Sequence, residues 1–567
     1  MRRMVLAAVL AVAMLAMLVP PAMAQTPKVT ITGLFEQVMS VGKNYSESNF
    51  SRDSDQEWYA RTRFRPDFTF EVGRVKAVMG LELDLTYGQV GSCGGGPTKG
   101  GQSAATLGCS RAHPGTTSDA GLNTDTAGII EIKWLYTEFP LTGKDSVMPF
   151  IPVETMARAG LQPFASIATY KNTYASGDFS GLSTKTTFAP NLLMNFAYVM
   201  VEDENGGDNR GTKGVASAGL VTGGKPTRGN DFAIITSPEF TPFKGLDIKP
   251  LYSLFYAEGT TSTSARRAAV DRHFQDANLA ANNTTTNSAS TFGNADNVTN
   301  GSTAMHETRH TIGADARWRF GAFGLDPTFY FQWGTRDTLA WSGSSGGARK
   351  PVDGKMSSFL ADIIGSWSLG PLLLEGRGVY SPGNKARDSL AQGIHYFEPL
   401  DTDTGYYSTW GAILALSDAD FGTGLNNGGM TTNVGYDRYG RASIALRATY
   451  SLTPALAFFG TVSPTWTAEK VDTDTGVAGT SRTIVSQNSF ATGDSNYIGT
   501  EFNIGMGWKF APNASLDMIG AWLNAGNALD TAEACTTCAG ASAANPQINH
   551  RDSKDAYAFT TRVRMSF

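Results

Sequence analysis

Apolar and polar side chains alternate with a period of two in segment after segment of this chain. The clearest case is the last. Tyr557, Phe559, Thr561, Val563, Met565 and Phe567 alternate with Ala558, Thr560, Arg562, Arg564 and Ser566. A period of two is the mark of a strand with unlike faces. Charges on every second residue do not suit a sandwich core, but they suit a strand with hydrocarbon on one side and water on the other. The pattern recurs. Ile444, Leu446, Ala448, Tyr450 and Leu452 alternate with Ser443, Ala445, Arg447, Thr449 and Ser451. Phe502, Ile504, Met506, Trp508 and Phe510 alternate with Glu501, Asn503, Gly505, Gly507 and Lys509. Ile312, Ala314, Ala316, Trp318 and Phe320 oppose Gly313, Asp315, Arg317 and Arg319.

The periodicity predicts strands near 28–42, 57–71, 74–88, 128–139, 153–162, 178–188, 191–202, 229–239, 245–258, 306–320, 323–336, 355–369, 371–381, 440–452, 455–470, 497–510, 513–526 and 555–567. Short links with turn residues, such as Val72-Gly73, Gly321-Ala322 and Thr453-Pro454, alternate with long ones such as 89–127, 203–228, 259–305 and 382–439. Short turns on one rim and long loops on the other describe a transmembrane, antiparallel, up-and-down all-β barrel, with periplasmic turns and extracellular loops. About 18 strands are expected, within a range of 16–20, and 16–18 strands leave a water-filled lumen. The link 140–152 is long for a turn. Trp410 to Ser417, inside the longest loop, reads as a further strand, a short helix or a plug. By position in the chain, 163–177 is the first candidate for a loop that narrows the pore.

The first two dozen residues differ from all of this. Arg2 and Arg3 precede an apolar run from Val5 to Val19, and Ala22-Met23-Ala24 is a small-x-small cleavage site. This reads as a secretory signal peptide over 1–24, leaving 25–567 as one barrel domain. Beyond it no apolar run reaches the ~18 residues of a spanning helix. Of 567 residues only 17% are charged, with 46 Lys+Arg against 51 Asp+Glu. That balance is far from the basic excess of a nucleic-acid binder.

The signal peptide, the repeated dyad strands and the aromatic residue Phe567 ending an alternating strand resemble a bacterial outer-membrane porin of the general-diffusion kind. Gly128 to Tyr136, with Ala157 to Pro163, is similar to a stretch in the homotrimeric porins of sulfate- and metal-reducing bacteria. The resemblance implies residence in the bacterial outer membrane, contact with its lipid and lipopolysaccharide, and assembly as a homotrimer. It also implies that Phe567 is a signal to the barrel assembly machinery. The Pro-Glu-Phe-Gly-Gly-Asp motif of enterobacterial porins is absent, so their pore details do not carry over.

With the apolar parity outward, the inward set includes Arg61, Arg63, Arg65, Glu82, Asp84, Lys133, Arg158, Asp315, Arg317, Arg319, Arg377, Arg447, Arg562 and Arg564. Charges are costly in hydrocarbon, so these must face water or one another. Arg61, Arg63 and Arg65 form a basic ladder that hints at anion preference. The plainer reading pairs them with Glu82 and Asp84 on the next strand. Trp134, Trp318, Trp333, Trp367, Trp466, Trp508 and Trp522, near strand ends, suit an interfacial girdle.

Other motifs are weaker. His306-Glu307-Thr308-Arg309-His310 matches the zinc-protease pattern, but that chemistry needs a helix and these residues run into an alternating strand. No metal or other cofactor is expected, and no catalytic residue. Cys93 with Cys109, and Cys535 with Cys538, are candidate loop disulfides in an exported protein. A substrate-specific channel, the barrel sheath of an electron conduit and a surface adhesion barrel are the alternatives to a general channel.

Overall fold

The computed structural model describes residues 28–44, 56–87, 130–163, 174–176, 178–202, 231–257, 307–341, 349–385, 393–398, 400–402, 410–413, 439–471, 493–535 and 547–567. The strands, in chain order, are β1 (Lys28–Lys43), β2 (Gln56–Val72), β3 (Val75–Tyr87), β4 (Ile130–Thr142), β5 (Glu154–Pro163), β6 (Ala175–Ser176), β7 (Asp178–Ala189) and β8 (Leu192–Glu202). They continue as β9 (Asp231–Phe243), β10 (Leu246–Ala257), β11 (Glu307–Phe320), β12 (Phe323–Trp341), β13 (Arg349–Leu369), β14 (Leu372–Ser381) and β15 (Asp401–Thr402). The last are β16 (Arg441–Thr453), β17 (Leu456–Val471), β18 (Ser495–Ala511), β19 (Ala514–Ala525), β20 (Thr531–Cys535), β21 (Gln547–Arg551) and β22 (Ala556–Ser566).

Eighteen of these form one sheet, and it closes on itself. Each barrel strand pairs antiparallel with its neighbour in the chain, and β1 pairs with both β2 and β22, from Leu34 opposite Ser566 to Lys43 opposite Tyr557. Closure leaves no unpaired edge. The seam is completed beyond the last strand: the Gly33 N–H donates to the Phe567 carbonyl at 2.9 Å, and the Phe567 N–H donates back at 3.1 Å. The Phe567 ring stacks on Phe64 with 5.9 Å between centroids. The small pairs β6–β15 and β20–β21 lie outside the sheet.

One rim carries seven two-residue turns, among them Gly73-Arg74, Gly321-Ala322 and Gly370-Pro371. Gly321 and Gly370 have φ of 62° and 60°, the left-handed geometry that two-residue hairpins need. The eighth connection on this rim, 143–153, is longer because it is a folded element. The Gly143 N–H donates to Ile151 O at 2.9 Å and Met148 N–H to Leu141 O at 2.9 Å. Arg74, from the next turn, donates to Lys144 O at 2.7 Å and pairs with Glu154. The other rim carries the long connections.

The outer wall is apolar. Ile504, Met39, Leu446 and Ile444 are 73%, 61%, 58% and 56% exposed, and rings such as Trp318, Trp333, Trp367, Trp508 and Trp522 stand among them. The parity of β4 departs from the sequence expectation. Gly80 faces Trp134 and Leu81 faces Ile132, so Lys133 is an extra residue, a β-bulge. Ile132 and Leu135 are therefore both outside, while Lys133 and Trp134 both turn in. The Trp134 indole lies against Gly80, and its N–H donates to Asp178 at 2.6 Å. Trp134 is thus an interior residue and not part of the girdle.

Candidate functional site

The interior of the barrel is the candidate site, and its charges meet across neighbouring strands. Arg63 lies 2.9 Å from Glu82 and Arg65 lies 2.5 Å from the same carboxylate. Lys133 stands between Glu82 at 3.6 Å and Asp178 at 3.2 Å. Two rungs of the basic ladder thus share one carboxylate with a lysine; the side chains of Arg61 and Asp84 lie outside the described residues. Arg158 pairs with Glu138 at 2.6 Å, Arg317 with Asp247 at 2.8 Å, and Arg377 with Asp362 at 2.7 Å. Arg319 holds Asp326, donating from Nη2 at 2.8 Å. Arg562 reaches Asp517 at 3.1 Å, Arg564 reaches Glu36 at 2.8 Å, and Arg447 approaches Glu375 at 4.0 Å. Asp315 instead accepts from the hydroxyls of Thr328 and Tyr330, the latter at 2.7 Å.

Removing the shared carboxylate tests this electrostatic balance. Glu82→Gln leaves Arg63, Arg65 and Lys133 without it, so the reversal potential under a salt gradient is expected to move toward anions. An unmoved reversal potential would mean that this cluster lies off the conducting path.

Part of the described interior is lined differently. Phe179, Ala197, Val199, Ala233, Ile235, Leu251, Phe255, Tyr330, Leu360 and Val379, from β7 to β14, form a buried apolar cluster with Tyr174, Phe397 and Leu400. Those last three come from the long connections β5–β7 and β14–β16. Both connections therefore fold inward and pack on the wall. They also join each other: the Leu400 N–H donates to Tyr174 O at 2.8 Å, and β6 and β15 pair in parallel. The segment 163–177, expected to narrow the pore, contributes Tyr174 and Ala175, both buried.

The larger intruder is the β14–β16 connection, held at two places. At the first, Glu398 enters a fully buried set of charges near the long-loop rim. It contacts Arg336 and lies 3.2 Å from Arg309, while Glu307 lies 2.9 Å and 3.1 Å from the same two guanidinium groups. Arg336 also donates to the Tyr396 hydroxyl at 2.9 Å. The Gln332 amide grips the backbone of Glu398, donating to its carbonyl at 2.6 Å and accepting from its N–H at 2.9 Å. At the second, Glu501 accepts from the N–H groups of Ala412 and Ile413 at 2.6 and 2.8 Å. Trp410 is buried there, with the Arg377 guanidinium 5.8 Å from its ring centre. The start of the Trp410–Ser417 stretch is thus an inserted turn; 414–417 lie outside the described residues.

Sequence reading missed this latch. Glu398 and Tyr396 sit in a connection with no periodicity, and Arg309 and Arg336 gave no sign of a common partner. A signal existed nonetheless. β8 (LLMNFAYVMVE) and the start of β9 (DFAII) are apolar on both faces, which means that something packs on the inside as well.

The zinc-protease pattern is absent in space. Glu307 faces inward to Arg336, whereas His310 is on the outer wall, stacked on Trp333 at 5.1 Å and bonded to the Tyr252 hydroxyl at 2.9 Å. His306 lies outside the described residues, and among those described no group of three or more His, Cys, Asp or Glu could hold a metal ion. Both proposed disulfides and the signal peptide also fall outside the described residues, Cys535 marking the end of β20.

No family model and no curated protein matches the chain. Among solved structures it is similar to Pseudomonas aeruginosa OccK8 (OprE), at 11% identity and a TM-score of 0.44, over 95% of this chain and 98% of that one. Acinetobacter baumannii OccAB4 matches at 9% identity and 0.44, over 97% and 100%. A BenF-like porin from Pseudomonas fluorescens Pf-5 matches at 9% identity and 0.44, over 96% and 100%.

Proposed function

We propose that the chain is a bacterial outer-membrane channel for the passive diffusion of ions and small hydrophilic solutes, with a constriction built by the β5–β7 and β14–β16 connections. The observation that carries this reading is the two-sided wall. Arginine or lysine facing midplane hydrocarbon costs a transmembrane barrel about 2–4 kcal/mol each. Here many of the inward charges meet in ion pairs, and the outer surface carries exposed apolar and aromatic side chains on strand after strand. Eighteen strands enclose more space than side chains fill, which supports an aqueous path. Opposed charges across the interior favour polar solutes with little preference for either ion. In this reading Phe567, zipped to Gly33, serves both the seam and the assembly machinery.

A second reading, a substrate-specific channel, is favoured by the folded-in segments, because rigid side chains at a narrowing can discriminate shape. A swelling series on reconstituted liposomes separates the two. A general channel passes neutral solutes at rates that fall smoothly with size. A specific one passes one chemical class faster than smaller solutes of another. No swelling with any solute, from correctly folded barrels, would contradict both.

A further inference from the structure

Parts of the described interior wall are apolar and covered, and parts are charged and paired. A neutral polar stretch lies on β17 and β18. Thr461, Ser463 and Asn503 face inward there, with Asn503 opposite Thr461 and Glu501 opposite Ser463. Asn503 is 6% exposed, yet neither its Oδ1 nor its Nδ2 has a hydrogen-bond partner. Buried amides left unpaired are rare, and they ask for an explanation such as a bound molecule. The neighbours of Asn503 along and across the sheet are small, Gly505 and Ala521. The Phe459 ring lies across Gly505, where an added Cβ would stand 2.3 Å from it. The Arg447 guanidinium stacks on that ring at 4.9 Å. Toward the long-loop rim, Glu501 holds the inserted turn at Ala412 and Ile413.

We infer that this polar stretch around Asn503 is a binding subsite for small, neutral, polyhydroxylated solutes of the sugar type, an inference that rests on the channel reading above. An amide offers one acceptor and two donors in a fixed plane, and a sugar hydroxyl both donates and accepts. The two hydroxyl side chains rotate to suit, and the Phe459 ring supplies a flat apolar face. The charges at its borders argue for a neutral ligand: an anion meets Glu501 and a cation meets Arg447.

The test is glucose block of the current through single channels in planar bilayers, each current normalised to that channel's own glucose-free value, with gluconate as an anionic comparator of similar size. Glucose is expected to reduce the wild-type current saturably. Asn503→Ala, and independently Thr461→Val, should raise the half-blocking concentration about tenfold. Should Asn503→Ala fail to fold, Thr461→Val carries the test. Glucose that lowers the current only in proportion to bulk conductivity, block unchanged in the folded variants, or tighter block by gluconate would each overturn the subsite while leaving the channel standing. No current in any arm would overturn the channel and the subsite together.

Discussion

Replacing Glu398 by alanine is expected to open the constriction, giving a larger and noisier single-channel current from a barrel that still folds. Glu398 is the carboxylate that the β14–β16 connection inserts between Arg309 and Arg336, and the side chains in that set are between 0% and 4% exposed. Without it, Glu307 alone faces two buried guanidinium groups. Removing one partner from a buried ion pair costs about 3–5 kcal/mol. The barrel has its strand ladders to rest on, whereas this part of the inserted segment rests on the Gln332 grip, two backbone bonds between Ile394 and β13, the pairing of β15 with β6 and the burial of Phe397 and Leu400, with Glu398 its only charge in the buried set. The loss therefore falls on the segment, and at that cost the ratio of folded-in to released segment drops by about two to almost four orders of magnitude. Single-channel recordings with unchanged conductance and unchanged open-channel noise would show that the segment stays in place without its latch.

Replacing Gly33 by valine is expected to abolish the closed barrel. A Cβ at Gly33 would stand 2.5 Å from the Arg65 carbonyl oxygen and 2.7 Å from the Phe567 ring. The Phe567 ring can swing aside, but the Arg65 carbonyl and the Pro66 Cα, at 3.1 Å, are backbone and cannot move without opening the β1–β2 ladder. Gly365, on the outer wall of β13, is the matched control: a Cβ there meets nothing within 4 Å. Heat-modifiable migration on a denaturing gel reads the outcome, since a closed barrel runs compactly until boiled. Gly365→Val should keep the compact form and Gly33→Val should lose it. Equal yields of compact form from the two variants would show that the seam tolerates a side chain at this position.

Much of this fold is legible in the sequence because a wall between hydrocarbon and water imposes period two on every strand it can. The alternation from Tyr557 to Phe567 or from Phe502 to Phe510 reports both the strand and its inward face. Legibility fails where a second constraint overrides the period. The bulge at Lys133 adds one residue to β4 and reverses its parity, so Trp134 reads as outer girdle but packs inside on Gly80. In β8 and β9, Ala197, Val199, Ala233 and Ile235 face inward yet are apolar, because Tyr174, Phe397 and Leu400 cover them. Such strands lose their alternation, and what covers them comes from remote connections with no period of their own. The basic ladder shows a different limit. Spacing places Arg63 and Arg65 inside, but only cross-strand register shows that both meet Glu82, with Lys133 arriving from a third strand.

An aqueous path through this barrel, past its folded-in segments, is read in planar-bilayer conductance of the folded wild-type chain, with the reversal potential taken under a salt gradient. Stepwise ohmic conductance with a reversal potential near zero is the predicted result, since opposite charges meet across much of the inner wall. A compact, heat-modifiable barrel that carries no current would contradict it and make the inserted segments a plug.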